Sequence, residues 1–148
     1  MSCMVSLPDG NYLILNGAHQ GVAGFALASD PNLNAVLYDP SQPAGSRFSI
    51  LGSTDIPRMY HSEAILLQDG RVLVTGSDQG DPNFPLEYRV EVYIPPYLSS
   101  GLTQPTFTIQ NTDWAYSGEY QIDVTLHQGT TDTMRISLVA GTLLYCFK

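Results

Sequence analysis

The stretch that decides the fold is residues 65–76, which read ILLQDGRVLVTG. An apolar run leads into Asp-Gly, a second apolar run follows, and a glycine ends the stretch. Asp-Gly between two apolar runs is the strongest short-range signal of a β-hairpin, and the type I′ turn that it favours needs positive φ at both central residues. We therefore predict a tight antiparallel hairpin with a type I′ turn at Asp69 and Gly70.

The same pattern occurs in residues 5–17, which read VSLPDGNYLILNG. The two Asp-Gly pairs begin at Asp9 and, 60 positions later, at Asp69. Hairpins that recur at roughly 40–60 residues are typical of β-propeller blades, which bury their faces against neighbouring blades. The repeat favours two blades of a partial propeller over two unrelated hairpins of a sandwich. The closing residues Gly17 and Gly76 suit positions where two backbones approach closely.

Further strands are predicted around and after these hairpins. Residues 34–40 and 47–51 are short apolar runs bounded by turn residues. After a linker at 80–85, residues 87–94 alternate between an apolar row (Tyr, Val, Val, Ile) and a mostly charged row. This alternation is typical of a half-buried antiparallel strand whose apolar row packs on the core.

The last part of the chain contains three more strand-like runs, residues 106–109, 119–126 and 134–139. Short strands separated by turns indicate an immunoglobulin-like sandwich, but these are too few to complete one. The expected fold class is all-β, with a partial β-propeller in residues 1–84 and an incomplete immunoglobulin-like β-sandwich in residues 85–148.

Composition limits the partners that the chain can have. Of its 148 residues, 43% are hydrophobic and only 14% are charged, which excludes a disordered tail and a coiled coil. The net charge of −8 argues against binding nucleic acid or an anionic membrane surface. No apolar run approaches the roughly 18 residues of a membrane span. Residues 1–8 lack the positive segment of a signal peptide, so we expect none in this chain.

Cysteines and most histidines give weak signals. Cys3 and Cys146 lie at opposite ends of the sequence and pair only if the termini meet, and two free thiols are the alternative. His127 lies beside a predicted hairpin tip and is interpreted as structural. His19 lies in a glycine-rich loop whose spacing does not match a phosphate-binding G-x-G-x-x-G, and it is left without a role.

His61 differs because Tyr60 precedes it, immediately before the second hairpin. Loops at such positions often carry function. Adjacent residues of an extended strand point to opposite faces, so the two side chains reach one ion only if the chain turns there. Imidazole nitrogen and phenolate oxygen together suit copper, and a tyrosine becomes phenolate only where the metal displaces its proton. On residue types alone, a chance Tyr-His pair remains the alternative.

Residues 58–62 (RMYHS), followed by residues 67–73 (LQDGRVL), resemble the copper-radical oxidases, specifically glyoxal oxidase and its relative galactose oxidase. Residues 15–48 also resemble the fungal glyoxal oxidases. Residues 87–98 are similar to the start of their C-terminal immunoglobulin-like, or early-set, domain. The likeness covers about residues 4–139.

The resemblance implies a kelch-type propeller, a secreted parent protein and a copper ion held by two tyrosines, two histidines and solvent. By this match Tyr60 is both a copper ligand and the catalytic general base, and His61 is one of the two histidine ligands. It also implies oxidation of small aldehydes or primary alcohols by dioxygen, which yields hydrogen peroxide. In the family a second tyrosine, cross-linked to a cysteine, carries the radical.

Parts of the family pattern have no match in this sequence. The radical tyrosine and its cysteine lie upstream in the family, and Cys3 occupies no matching position. The second histidine should follow residues 136–139, but the match ends at Ala140, consistent with a gene-model error or a truncated paralogue. We therefore expect a fragment that is inactive alone, binds copper weakly or not at all, and self-associates through exposed strand edges. The alternatives are a non-catalytic module that binds a protein or a glycan, and a degenerate gene product.

Overall fold

The computed structural model describes residues 1–127 except 23, 79, 81, 102 and 112. The chain divides into two compact units, Met1–Gly101 and Leu102–Lys148. All of the described sheets are antiparallel, and the only described helices are two three-residue 3₁₀ turns, so the all-β prediction is confirmed.

The described residues of the unit Met1–Gly101 form three sheets. The first sheet has the order β1-β2-β5-β6, with β1 at Cys3–Ser6, β2 at Tyr12–Leu15, β5 at Asn34–Tyr38 and β6 at Phe48–Ser53. The second sheet has the order β7-β8-β9, with β7 at Glu63–Leu66, β8 at Val72–Thr75 and β9 at Glu91–Tyr93. A small hairpin of β3 (Ala18–Gln20) and β4 (Ser29–Pro31) occupies the glycine-rich region that was expected from the sequence to be a loop.

Both predicted Asp-Gly hairpins are confirmed, but the predicted turn type is wrong. Positive φ occurs at Gly10 (90°) and Gly70 (84°), and neither Asp9 nor Asp69 shares it. In each turn the glycine N–H donates to the carbonyl three residues earlier, at 3.1 and 3.0 Å. Each turn is therefore a three-residue loop, in which a type I turn is followed by a glycine in the left-handed region. In such a loop the aspartate does not need a positive φ.

The four-stranded first sheet and the three-stranded second sheet share one core. Its buried residues alternate along the strands and come from both hairpins and from β5: Val5, Leu7, Leu13, Leu15, Ala35, Val72 and Val74. Strand β1 also contacts β7, the first strand of the second sheet. The sheets therefore pack face to face, the arrangement predicted for neighbouring blades of a propeller.

The face of the first sheet that points away from this core is also apolar. The register pairs Met4 with Ile14, Ile14 with Val36, and Val36 with Ile50, which makes one row across all four strands. Met4 and Ile50, at its two ends, are exposed. This face has the composition of a buried sheet surface, and within the described residues its ends lack a cover.

The prediction for residues 87–94 needs two corrections. Only Glu91–Tyr93 forms a strand. The row that was expected to be buried is exposed: Tyr88, Val90, Val92 and Ile94. The opposite row faces the protein, because Tyr93 packs on the shared core and the Glu91 carboxylate pairs with a buried arginine.

Residues 85–101 are part of the first compact unit. Strand β9 completes the second sheet by pairing with β8, and the Tyr97 hydroxyl donates to the Gly70 carbonyl in the second hairpin turn. The division by contacts thus falls after Gly101, whereas the boundary expected from the sequence followed residue 84.

The unit that begins at Leu102 contains β10 (Thr106–Ile109) paired with β11 (Ile122–Thr125). These strands lie where the sequence predicted strands, and the immunoglobulin-like assignment stays a prediction. The predicted strand at 134–139 lies outside the described residues. Among the described residues, no helix is long and apolar enough to cross a membrane.

Candidate functional site

Tyr60 and His61 lie in a turn that ends just before the start of strand β7. In this turn His61 has a φ of 57°, in the left-handed region. A turn at this place was the condition under which both side chains could serve one site.

The Tyr60 side chain is buried, with the whole residue only 8% exposed. It packs in a small apolar cluster with Ala28 and Met59. Its hydroxyl donates to the Val22 carbonyl at 2.8 Å and accepts from the Gly24 N–H at 3.3 Å. Both polar functions of the phenol are therefore engaged by the glycine-rich loop.

His61 is exposed, but its ring is not isolated from Tyr60. The Phe25 ring lies 6.0 Å from the Tyr60 ring and 5.6 Å from the His61 ring, centroid to centroid. Both predicted ligands thus contact the same aromatic side chain. Their joint binding of one metal ion stays a prediction.

A buried arginine lies two residues before Tyr60. The side chain of Arg58 is 0% exposed and uses three nitrogens. Nε donates to Glu91 Oε2 at 2.9 Å, Nη1 to the Gly76 carbonyl at 2.6 Å, and Nη2 to the Arg89 carbonyl at 2.9 Å. The Arg58 carbonyl accepts from the Gly17 N–H at 2.8 Å. Arg58 therefore joins the closing glycines of both hairpins to the turn.

The backbone of the turn is held by further hydrogen bonds. The Met59 N–H donates to Ser77 Oγ at 2.9 Å, and the Tyr60 carbonyl accepts from the Asp78 N–H at 2.8 Å. Ser62 Oγ donates to the Met59 carbonyl at 2.9 Å. Every residue from 58 to 60 is thus bonded to the segment that follows β8.

Cys3 lies next to this turn. Its Sγ is 3.3 Å from the Ser62 carbonyl oxygen, and Asn16 Nδ2 donates to Ser62 Oγ at 3.1 Å. The thiol is therefore part of a polar cluster between the two hairpins. Its predicted alternative partner, Cys146, lies outside the described residues.

The remaining histidines lie elsewhere. His19 is exposed on the short strand β3, and His127 Nε2 lies 3.1 Å from Thr106 Oγ1 in the second unit. Within residues 1–127, apart from 23, 79, 81, 102 and 112, no three histidine, cysteine, aspartate or glutamate side chains form a group that could hold a metal.

A cleft of about 200 Å³ opens between the two sheets beside the turn. Its walls are mostly apolar, and its polar lining includes Asn16, Thr54 and Glu91. Asn16 and Glu91 are the groups that contact Ser62 and Arg58, so the cleft borders the residues that support the turn.

Electrostatic shifts concentrate on the segment that carries β9. The pKa of Glu87 is lowered to about 2, chiefly because the Arg89 side chain donates hydrogen bonds to its carboxylate. Burial raises the pKa of Tyr93, and burial with the nearby carboxylates raises that of Tyr97.

The sequence indicated Tyr60 and His61 as candidate ligands, which stays a prediction, but it did not indicate the residues that support their turn. Arg58 and Glu91 lie 33 positions apart, and nothing local links them. Phe25 lies in a loop that was given no role. The one signal in the sequence for a supporting residue was Arg58 itself, a cation within the otherwise uncharged residues 56–62.

Comparisons with known proteins match most of the chain. The profile of the family described as "Glyoxal oxidase N-terminus" matches residues 1–97. A "WSC domain-containing protein" of Arthroderma benhamiae is 62% identical over 139 residues, 94% of this chain and 15% of that protein. "Aldehyde oxidase GLOX1" of Arabidopsis thaliana is 46% identical over 117 residues, 76% of this chain and 19% of that protein. "Aldehyde oxidase GLOX" of Vitis pseudoreticulata is 50% identical over 103 residues, covering 66% and 20% of the two proteins. The chain thus spans only a small part of the relatives it matches.

Proposed function

Because this chain belongs to the glyoxal oxidase family, we propose that it carries one part of a copper-radical oxidase active site. The reaction proposed for the parent protein is oxidation of small aldehydes or primary alcohols by dioxygen, with release of hydrogen peroxide. Relatives that are named aldehyde oxidases support this class of substrate. We also propose that residues 1–84 belong to a kelch-type propeller, that residues 85–148 lead into an early-set domain, and that the parent protein is secreted.

The observation that carries the proposal is the turn at Tyr60 and His61. A phenol and an imidazole meet the same aromatic ring there, and oxygen and nitrogen donors of these types suit copper. The donor chemistry fits the metal, while the number of donors does not complete a site. Copper chemistry therefore requires ligands beyond this pair.

Tyr60 is the proposed copper ligand and general base, and His61 the second ligand from this chain. The chemistry that a bound copper ion would supply is the transfer of one of the two electrons that pass from substrate to dioxygen, and the radical tyrosine of the family would transfer the other. To accept a proton from substrate, the Tyr60 oxygen must first lose its own, which now points to the Val22 carbonyl. The Gly24 N–H already points at the same oxygen and would stabilise the phenolate that results.

The first experiment uses the chain alone. We expect the purified, copper-loaded 148-residue chain to release no hydrogen peroxide from glyoxal or methylglyoxal, because Tyr60 and His61 are only part of the ligand set. Peroxide release above a copper-only control would overturn the proposed inactivity.

The second experiment tests the two ligands in a longer protein that contains this sequence and oxidises an aldehyde. We expect Tyr60→Phe to lower its activity by about 10² or more, the range for loss of a proton-transfer group. His61→Ala should also lower the activity, because the copper ion loses a ligand. His19→Ala, an exposed histidine on β3, is the matched control and should leave activity unchanged. Full activity of both turn variants would refute the assignment of the ligands.

A second candidate function is a non-catalytic module that binds a protein or a glycan. The observation that favours it is the exposed apolar row of Tyr88, Val90, Val92 and Ile94, because such rows often mark interaction surfaces. This module should bind its partner equally well with and without copper. Dependence of binding on copper would therefore exclude it.

A further inference from the structure

The Arg58–Glu91 pair is the feature of the turn that the proposed function leaves unused. An arginine without exposed surface is strongly unfavourable unless it is paired and hydrogen-bonded, and an apolar side chain of similar volume often serves stability as well or better. Stability alone is therefore a weak reason for a charge at this position.

The geometry shows what the guanidinium does. Its planar fork holds three acceptors at once, and two of them are main-chain carbonyls, those of Gly76 and Arg89. Gly76 directly follows β8, and Arg89 lies just before β9. Arg58 lies two residues before Tyr60, and its side chain thus holds the end of β8 and the start of β9 in place relative to the turn.

Glu91 extends this arrangement to the other side of the turn. Its Oε2 accepts from Arg58, while its Oε1 accepts from the Thr54 hydroxyl. Thr54 Oγ1 in turn accepts from the Ile56 N–H at 3.0 Å. The carboxylate therefore links β9 to the segment by which the chain enters the turn, as well as to the turn itself.

We propose that Arg58 and Glu91 are positioning residues for the Tyr60–His61 site, which they hold in the conformation that directs both side chains to Phe25. This inference rests on the proposed function for its chemical purpose. Neither residue touches a reacting atom, since their side chains bond to each other, to Thr54 and to the carbonyls of Gly76 and Arg89. Strand β9, beyond the boundary expected from the sequence, is thereby part of the site's support.

The first test needs no copper. Amide hydrogen exchange is followed by NMR in the 148-residue chain and in the variants Arg58→Lys and Glu91→Gln. We expect the Met59 and Asp78 amides to lose protection by roughly tenfold relative to amides of the central strand β2, because the support of the turn opens locally. Arg71→Lys, in the exposed pair with Asp69, is the matched control and should change neither set.

The same experiment can contradict the inference. If every protected amide, including those of β2, changes by one common factor, then Arg58 and Glu91 contribute only to global stability. Glu91→Gln keeps the shape and an acceptor oxygen of Glu91, so it supplies the result if Arg58→Lys does not fold.

The second test adds Cu(II) and follows the paramagnetic broadening of the Tyr60 and His61 ring signals. In the unchanged chain both rings should broaden over one copper range. In Arg58→Lys, the broadening of Tyr60 at a given copper concentration should fall roughly tenfold relative to that of His61, because Tyr60 is no longer held close to the ion. An unchanged ratio between the two rings would contradict the positioning role. Broadening of neither ring in the unchanged chain would show only that the incomplete ligand set binds no copper, and hydrogen exchange would then decide by itself whether the pair fixes the turn.

Discussion

Gly76 approaches the carbonyl oxygen of His61 so closely that a Cβ on Gly76 would lie 2.6 Å from it. Gly76 also has a φ of 74°, and its own carbonyl accepts from Arg58. The closing glycine of the second hairpin is thus in direct contact with the candidate site.

We expect Gly76→Ala to destabilise the chain by about 1–3 kcal/mol, because alanine there combines positive φ with a clash against backbone. The measurement is urea unfolding followed by circular dichroism. Gly45→Ala is the matched control, since Gly45 lacks positive φ and a Cβ added there would meet no atom within 4 Å, and it should be nearly neutral. Equal stability of the two variants would show that the close approach is not a constraint.

The close approach at Gly76 illustrates what the sequence predicts well. A hairpin is a local signal, so both hairpins, the strands at 34–38 and 48–53, and the role of the closing glycines could be predicted from neighbouring residues. The turn type was harder, because the loop includes Pro8 or Gln68 as well as Asp-Gly, and a three-residue loop relieves the aspartate of positive φ.

The face that segment 87–94 buries could not be predicted from its alternation. Period-two alternation shows that a strand has two faces, but it does not show which face is buried. Here the face with Glu91 is turned inward because Glu91 pairs with Arg58, which lies 33 positions earlier. Because of the same separation, the sequence does not indicate that Arg58 and Glu91 together support the site. Adjacent Tyr60 and His61 can be recognised as a pair, while a partner far along the chain is identified only by the fold.

The role of the residues after position 84 gives a second prediction. We expect a chain of residues 1–101 to unfold cooperatively and a chain of residues 1–84 to lose that cooperativity, because the shorter chain lacks β9 and Tyr97. Thermal unfolding followed by circular dichroism distinguishes them. In the complete chain, Tyr97→Phe should cost about 1 kcal/mol through loss of its bond to Gly70. Identical unfolding of both shorter chains would place the boundary at residue 84.

The core shared by the two sheets predicts a large effect at Leu13. This side chain is 0% exposed, so Leu13→Ala should cost about 2–5 kcal/mol from lost burial and the cavity left behind. Met4→Ala is the matched control on the neighbouring strand, because Met4 is exposed on the opposite face, and it should cost less than about 0.5 kcal/mol. Denaturant titration measures both. A small cost at Leu13 would contradict face-to-face packing of the sheets.

The lowered pKa of Glu87 predicts a pH dependence of stability. The pKa is about 2 in the folded chain against an ordinary value of 4.5, so folding favours the ionised carboxylate. The stabilisation is complete above pH 4.5 and is lost as the pH falls toward about 2. Urea midpoints measured across this window should fall with acid less steeply in Glu87→Gln than in the unchanged chain. Parallel curves would show that the bonds from Arg89 to Glu87 do not form in solution.

The exposed face of the first sheet predicts self-association of the isolated chain. Met4 and Ile50 end an apolar row that crosses four strands, and Phe48 extends an aromatic row beside it, with its ring 5.0 Å from that of Tyr38. We expect sedimentation velocity to show association that rises with concentration. Ile50→Lys should weaken it by roughly ten- to a hundredfold, the equivalent of losing one buried aliphatic side chain.

Ala44→Lys provides the control for that last prediction. Ala44 is exposed in the turn between β5 and β6, so lysine there makes the same change in net charge without entering the apolar face. If Ala44→Lys and Ile50→Lys weaken association equally, charge repulsion and not the apolar row governs it. If only Ile50→Lys weakens association, the sheet face is the contact. In the isolated chain, a second copy then covers the surface that a neighbouring blade would bury.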